Sequence, residues 1–312
     1  MSDFEFIPSE KQIQESNIFQ FMQKHNITSL TELSKKANND LEWFWESVDK
    51  DLGIIWNSPY SKILDSSNGI MWSKWFVNGK TNIYSSSVEK FAKINPEKIA
   101  YYFESEDGVK LTITYSELDT KVSKLANGLK SLGIRKGDVI AIYLPMIEEA
   151  IVAMLAASKI GAIQTVIFSG YSEESLHIRL IDCKAKLLFV SDGFNRKGKN
   201  ISQKQIAQSA IINTNIEKLI VVPYKGIDNY ETTEKIIFYD QLLSSQNNIC
   251  TTEILDSEDP LFILYTSGTT GTPKGVVHAH GGFSVFAGYQ SAYLIDTHEN
   301  DILFWPADIG WI

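Results

Sequence analysis

The stretch Leu264-Tyr265-Thr266-Ser267-Gly268-Thr269-Thr270-Gly271-Thr272-Pro273-Lys274-Gly275 packs glycines and hydroxyls behind an apolar run at 260–264, and it closes on a lysine. Gly268, Gly271 and Gly275 allow positive φ and a close backbone approach to a ligand. Successive N–H groups in such a loop can form an anion-binding concavity. Thr266, Ser267, Thr269 and Thr270 add hydroxyl donors, and Lys274 adds a point charge. Hydrogen bonds to a charged group contribute roughly 1.5–3 kcal/mol each, so a few could hold a triphosphate. The alternative is a plain Ser/Thr/Gly surface loop; the buried strand directly before it and the Pro-Lys-Gly at its end favour phosphate. A Walker loop is excluded, because Gly275 and not Ser or Thr follows Lys274. No GxGxxG follows the first strand, so a dinucleotide fold has no support.

Other residues carry weaker chemistry. Asp192-Gly193-Phe194-Asn195-Arg196-Lys197-Gly198-Lys199 reads as a turn followed by a basic patch, either a phosphate contact or a solvated loop. His278 and His280 could cap a helix, approach the phosphates, or sit as structural histidines; the last is favoured. Glu148 and Glu149 stand at a helix start, where carboxylates suit the macrodipole, and are not a catalytic dyad. Asp308 receives no role.

The elements that must position the loop follow from apolar spacing. Residues 8–52 read as helical. Residues 53–87 hold Trp56, Trp72, Trp75 and Phe76 and are expected to be irregular but packed down by aromatics. Beyond residue 88 the pattern is α/β. A strand pair is predicted at 98–104 and 110–114. A helix over 115–132 opens on a Thr114/Glu117 capping box and ends at Gly133. Strands at 138–144, 162–168 and 187–190 alternate with helices at 147–160 and 172–183. Further strands are predicted at 218–222, 261–265 and 302–305, and a helix after Gly282. Residues 223–258 show weak local structure. The nearly continuous apolar strands imply an α/β fold, with a mostly parallel sheet covered by helices on both faces. A helical and aromatic-rich segment, 1–87, precedes the 88–312 domain.

Composition limits the partners. A chain of 312 residues with 29 basic and 38 acidic side chains, net −9, lacks the basic footprint that nucleic acid requires. Cys183 and Cys250 have no metal-ligand spacing, so no metal site is expected from them and free buried thiols are. The stretch 139–166 is broken by Pro145, Glu148, Glu149 and Lys159, which excludes a membrane span. The N-terminus has no secretory pattern. A cytoplasmic protein is the expectation.

The string YTSGTTGTPKG resembles the phosphate-binding signature of the adenylate-forming superfamily. Lys74-Trp75-Phe76-Val77-Asn78-Gly79-Lys80-Thr81-Asn82, Tyr143-Leu144-Pro145-Met146, Ile160-Gly161-Ala162, Val166-Ile167-Phe168-Ser169-Gly170-Tyr171-Ser172 and Ala307-Asp308-Ile309-Gly310-Trp311 are similar to the acetyl- and propionyl-CoA synthetase branch. The resemblance runs from about residue 40 onward. It implies activation of a small carboxylate by ATP and Mg2+ to an acyl-adenylate, then transfer to coenzyme A. It places the 266–274 loop on the β- and γ-phosphates, Arg196 and Lys199 near the phosphates of coenzyme A, and Trp311 and Ile312 on the wall of a short acyl pocket, where two ordinary core residues are the alternative. The family pattern continues with an aromatic-Thr-Glu segment, a ribose-binding aspartate, a hinge and a C-terminal domain bearing the adenylation lysine. None of these is in the 312 residues, so no complete catalytic set is expected here and the chain alone is expected to be inactive. A non-catalytic nucleotide- or partner-binding module from a split or truncated gene is the competing reading.

Overall fold

The structure is a computed structural model that describes residues 7–105, 108–196, 199–226, 232–266 and 271–310, without the side chains of 195, 196, 199 and 200. Its centre is a seven-stranded sheet. From one edge to the other the strands are Ile236–Phe238, Lys218–Val222, Leu187–Ser191, Val139–Tyr143, Ile163–Val166, Pro260–Thr266 and Lys274–Ala279. All neighbours are parallel except the last pair.

Strand alternation divides the core. Ile140 and Ile142 face a layer containing Leu118, Val122, Leu125, Val152 and Ala156 of helices Tyr115–Ser131 and Glu148–Lys159. Ala141 and Tyr143 face Leu176, Leu180 and Ala207 of helices Glu173–Cys183 and Gln203–Ala210. Both faces are covered because successive side chains on a strand point to opposite sides. The first parallel strand, Val139–Tyr143, has its successor on one side and the next strand on the other. At such a reversal of strand order, open α/β sheets have a crevice at the carboxyl ends of their strands.

The helix starts follow their cap chemistry. Thr114 accepts from the Glu117 N–H while the Glu117 carboxylate accepts from the Thr114 N–H, the predicted capping box. Ser172 caps Glu173–Cys183. The N-terminal segment forms four helices, Glu10–Glu15, Asn17–Lys24, Leu30–Asn39 and Leu41–Leu52, capped by Ser9, Ser16, Ser29 and Asp40. Its core shares Val285 and Tyr293 with Phe21, Val48 and Phe76, so it packs on the helix His280–Tyr289. Trp45 lies 5.4 Å from the Tyr289 ring and 6.2 Å from the Trp75 ring. Trp56 and Tyr60 both donate to the buried Asp49 carboxylate, each at 2.9 Å. Burial pushes the Asp49 carboxyl above its usual range.

Four expectations need correction. Trp72 is not packed down; it is 70% exposed on the short turn Ile70–Trp72. Residues 302–305 form no strand and are exposed. The helix expected after Gly282 begins at His280. Within the supposedly weak 223–258 stretch, Ile236–Phe238 pairs with Lys218–Val222, and Tyr239–Leu243 packs Leu242 against helix Tyr115–Ser131, where a Cβ on Gly128 would meet it at 2.9 Å. Among the described residues no helix is long and apolar enough to cross a membrane.

Candidate functional site

The glycine-rich stretch leaves one strand of a β-hairpin and returns into the other. Pro260–Thr266 pairs in parallel with Ile163–Val166 through Phe262 and Ile263. It then pairs antiparallel with Lys274–Ala279, with Thr266 opposite Lys274 and Tyr265 opposite Gly275. The register brings the first hydroxyl of the loop and its lysine to the same rung, at the carboxyl end of a sheet strand. Lys274 is exposed there. Gly271 takes φ +82° with open space beside it, as its predicted role in the loop requires. Gly275 differs from expectation: its φ is not left-handed, and glycine is needed because a Cβ would lie 2.9 Å from Ile263 Cγ2 and 3.3 Å from Tyr265 Cε1. Ser267, Gly268, Thr269 and Thr270 lie outside the described residues.

A second segment converges on the same end of the sheet. After Ile163–Val166 the chain turns through Phe168 to Tyr171, whose carbonyl accepts from the Tyr143 hydroxyl at 2.7 Å. Gly310 lies on this turn so closely that a Cβ would be 2.6 Å from the Phe168 nitrogen. Asp308 accepts from the Gly310 N–H at 2.7 Å and shapes that approach. Trp311 and Ile312 lie outside the described residues. Beside these segments, an apolar cavity of about 370 Å³ is lined by Met154, Leu155, Val166, Leu264, Phe283 and Ile309, among others.

The basic segment is a hairpin, Phe194–Arg196 with Lys199–Ile201, in which Arg196 and Lys199 are cross-strand partners. Its root is Asp192, which is fully buried. The carboxylate accepts from the N–H groups of Gly193 (2.8 Å), Tyr224 (2.9 Å), Lys225 (2.9 Å) and Gly226 (2.6 Å). A carboxylate satisfied by several backbone donors is a strong organiser of loops. The sequence shows only a turn at Asp192, because three of these four donors come from a loop more than thirty residues away.

The two histidines differ in burial. His278 stacks on Phe262 at 4.7 Å, and burial lowers its pKa. His280 is fully buried, accepts on Nδ1 from the Ile83 N–H at 3.3 Å, and is pulled down to about 4, chiefly by burial. Neither caps a helix: Ala279 is the N-cap and His280 the first helical residue. Glu148 and Glu149 occupy the first turn of their helix, and burial raises the pKa of Glu149. Cys183 and Cys250 are free and buried. Among the described residues no group of three or more His, Cys, Asp or Glu side chains could hold a metal ion.

Comparison with known proteins fits this geometry. Residues 88–312 match the family described as AMP-binding enzyme, and residues 30–86 match the acetyl-coenzyme A synthetase N-terminus. The acetyl-coenzyme A synthetase of Methanothrix thermoacetophila is 44% identical over 303 residues, which are 96% of this chain and 46% of that protein. The one from Helicobacter pylori is 38% identical over 291 residues, 92% of this chain and 44% of that protein. Among solved structures, an acetoacetyl-CoA synthetase from Streptomyces lividans superposes with a TM-score of 0.89 at 25% identity, covering 97% of this chain and 47% of that one. The chain thus spans about half the length of the curated relatives it matches. With a glycine- and hydroxyl-rich loop at the carboxyl end of a parallel sheet and both family matches together covering residues 30–86 and 88–312, the chain belongs to the AMP-binding enzymes and is of the acetyl-coenzyme A synthetase type.

Proposed function

We propose that the 266–274 loop binds the polyphosphate of MgATP, and that the protein activates acetate or a similarly short carboxylate for transfer to coenzyme A. In that reaction a carboxylate oxygen attacks the α-phosphorus, the bond to the β-phosphate breaks, and pyrophosphate leaves with its magnesium. The thiol of coenzyme A then attacks the acyl carbonyl and AMP departs. A carboxylate is a poor acyl donor, so the protein's task is to align it with the α-phosphate and stabilise developing charge.

The observation that carries this reading is the pairing of Thr266 with Lys274 at the mouth of the hairpin. It gives the departing phosphates a hydroxyl on one side and an ammonium on the other. Arg196 and Lys199, paired on their hairpin, are the proposed contacts for the phosphates of coenzyme A. Trp311 and Ile312 are the proposed wall of the acyl pocket, next to the closely seated Gly310. The division into an N-terminal segment to residue 87 and an AMP-binding domain from 88, and a cytoplasmic setting, belong to the same reading.

Calorimetric titration of the protein with MgATP and with inorganic tripolyphosphate tests it. Lys274→Ala is expected to weaken binding about ten- to a hundredfold, the size of one hydrogen bond to a charged group. Equal affinity in the variant and the unaltered protein would remove the loop from the phosphate site.

A further inference from the structure

Among the described residues Arg179 is the one buried arginine, at 5% exposure in the middle of helix Glu173–Cys183. It makes no ion pair with any described carboxylate. Its Nη1 donates to the Ser175 carbonyl at 2.6 Å, and its buried Nε has no hydrogen-bond partner. What holds it is aromatic: the guanidinium carbon is 4.3 Å from the Tyr171 ring centroid and 5.6 Å from that of Tyr265. A buried cation without an anion is costly unless its place serves something else.

The two rings belong to the two walls of the candidate site. Tyr171 ends the turn on which Gly310 is seated, and its ring lies 5.4 Å from that of Phe168. Tyr265 is the residue immediately before Thr266. Its hydroxyl donates to Asp182 at 2.6 Å, one helical turn beyond Arg179, and a Cβ on Gly275 of the returning strand would lie 3.3 Å from its ring. Arg179 therefore touches both the root of the phosphate loop and the seat of the 308–310 segment.

We propose that Arg179 is a positioning residue, which ties the Phe168 to Tyr171 turn to the Tyr265 end of the hairpin so that the two walls of the site move as one. Its link to catalysis rests on the phosphate-loop reading above; the mechanical tie does not. The planar guanidinium suits this place because it can lie against aromatic faces while its edge still donates, which neither lysine nor an apolar residue can reproduce.

The test is amide hydrogen exchange of the protein, together with tripolyphosphate titration, for Arg179→Met and Arg179→Lys. Methionine keeps helix propensity and bulk and removes a buried unpaired charge, so a merely structural arginine predicts equal or greater thermal stability and unchanged exchange. The positioning role predicts exchange at least about tenfold faster at the amides of 168–171 and 264–266 in both variants, with the far end of the sheet unaffected. It also predicts several-fold weaker tripolyphosphate binding. Native exchange at both segments in either folded variant overturns the proposal, and Arg179→Lys decides the matter if the methionine variant is insoluble. Faster exchange in a protein that binds no tripolyphosphate even when unaltered would sustain the tie and overturn the phosphate reading.

Discussion

The side-chain amide of Asn82 donates to the backbone carbonyl of Ser158 at 2.8 Å, fastening the N-terminal segment to the last turn of a helix in the central layers. The same nitrogen donates to Glu253 at 3.0 Å, and the Asn82 oxygen accepts from the Tyr84 N–H at 3.0 Å. Asn82 is fully buried, so water cannot replace these bonds. Asn82→Ala is expected to destabilise by roughly 3 kcal/mol through the orphaned groups. Urea unfolding with an unchanged slope and a lower midpoint is the expected record; an unchanged midpoint contradicts it.

His280 makes stability depend on pH. Its folded pKa, about 4, lies below the ordinary 6.5. Between these values the unfolded chain takes up a proton that the folded protein refuses, so stability falls as pH drops from about 6.5 to 4. The loss from this residue is about 3 kcal/mol across the window, with full stability above it. His280→Gln should flatten that part of the profile in chemical denaturation. Parallel profiles for the two proteins would show that His280 charges freely when folded.

Gly275→Ala should loosen the hairpin. The added methyl meets Ile263 Cγ2 at 2.9 Å and the Tyr265 ring at 3.3 Å. Overpacking of this kind costs about 1–3 kcal/mol. Weaker tripolyphosphate binding together with a lowered denaturation midpoint is expected. A variant as stable as the parent would mean that the two strands separate without penalty.

Cys183 should be slow to alkylate. Burial pushes its thiol up to about 11, leaving about one thiolate in a thousand at pH 8. Mass spectrometry after iodoacetamide treatment should find it unmodified in the folded protein and labelled in urea. Rapid labelling without denaturant would place the thiol at the surface.

The sheet was legible where strands are apolar and long enough to show a run, as at Val139–Tyr143 and Leu187–Ser191. Ile236–Phe238 escaped because three residues carry no period, and Lys274–Ala279 because an exposed edge strand need not be apolar. Residues 302–305 misled for the opposite reason: an apolar run is only a candidate for pairing. At the candidate site, the glycine- and hydroxyl-rich stretch proposed to bind phosphate stands out in the sequence itself. Asp192 and Arg179 do not, since the partners that set them apart are distant in sequence, the backbone amides at 224–226 and the rings of residues 171 and 265. Such contacts are brought together only by the fold.

Because Thr266 and Lys274 are partners on one rung, the stretch 267–273 is bridged at its base. Its length is therefore uncoupled from the registers on either side. A residue inserted within it is absorbed locally, whereas one inserted in either strand turns the following side chains to the opposite face. The hairpin sets both registers by itself, so the sheet places no demand on the length of the stretch that joins its last two strands.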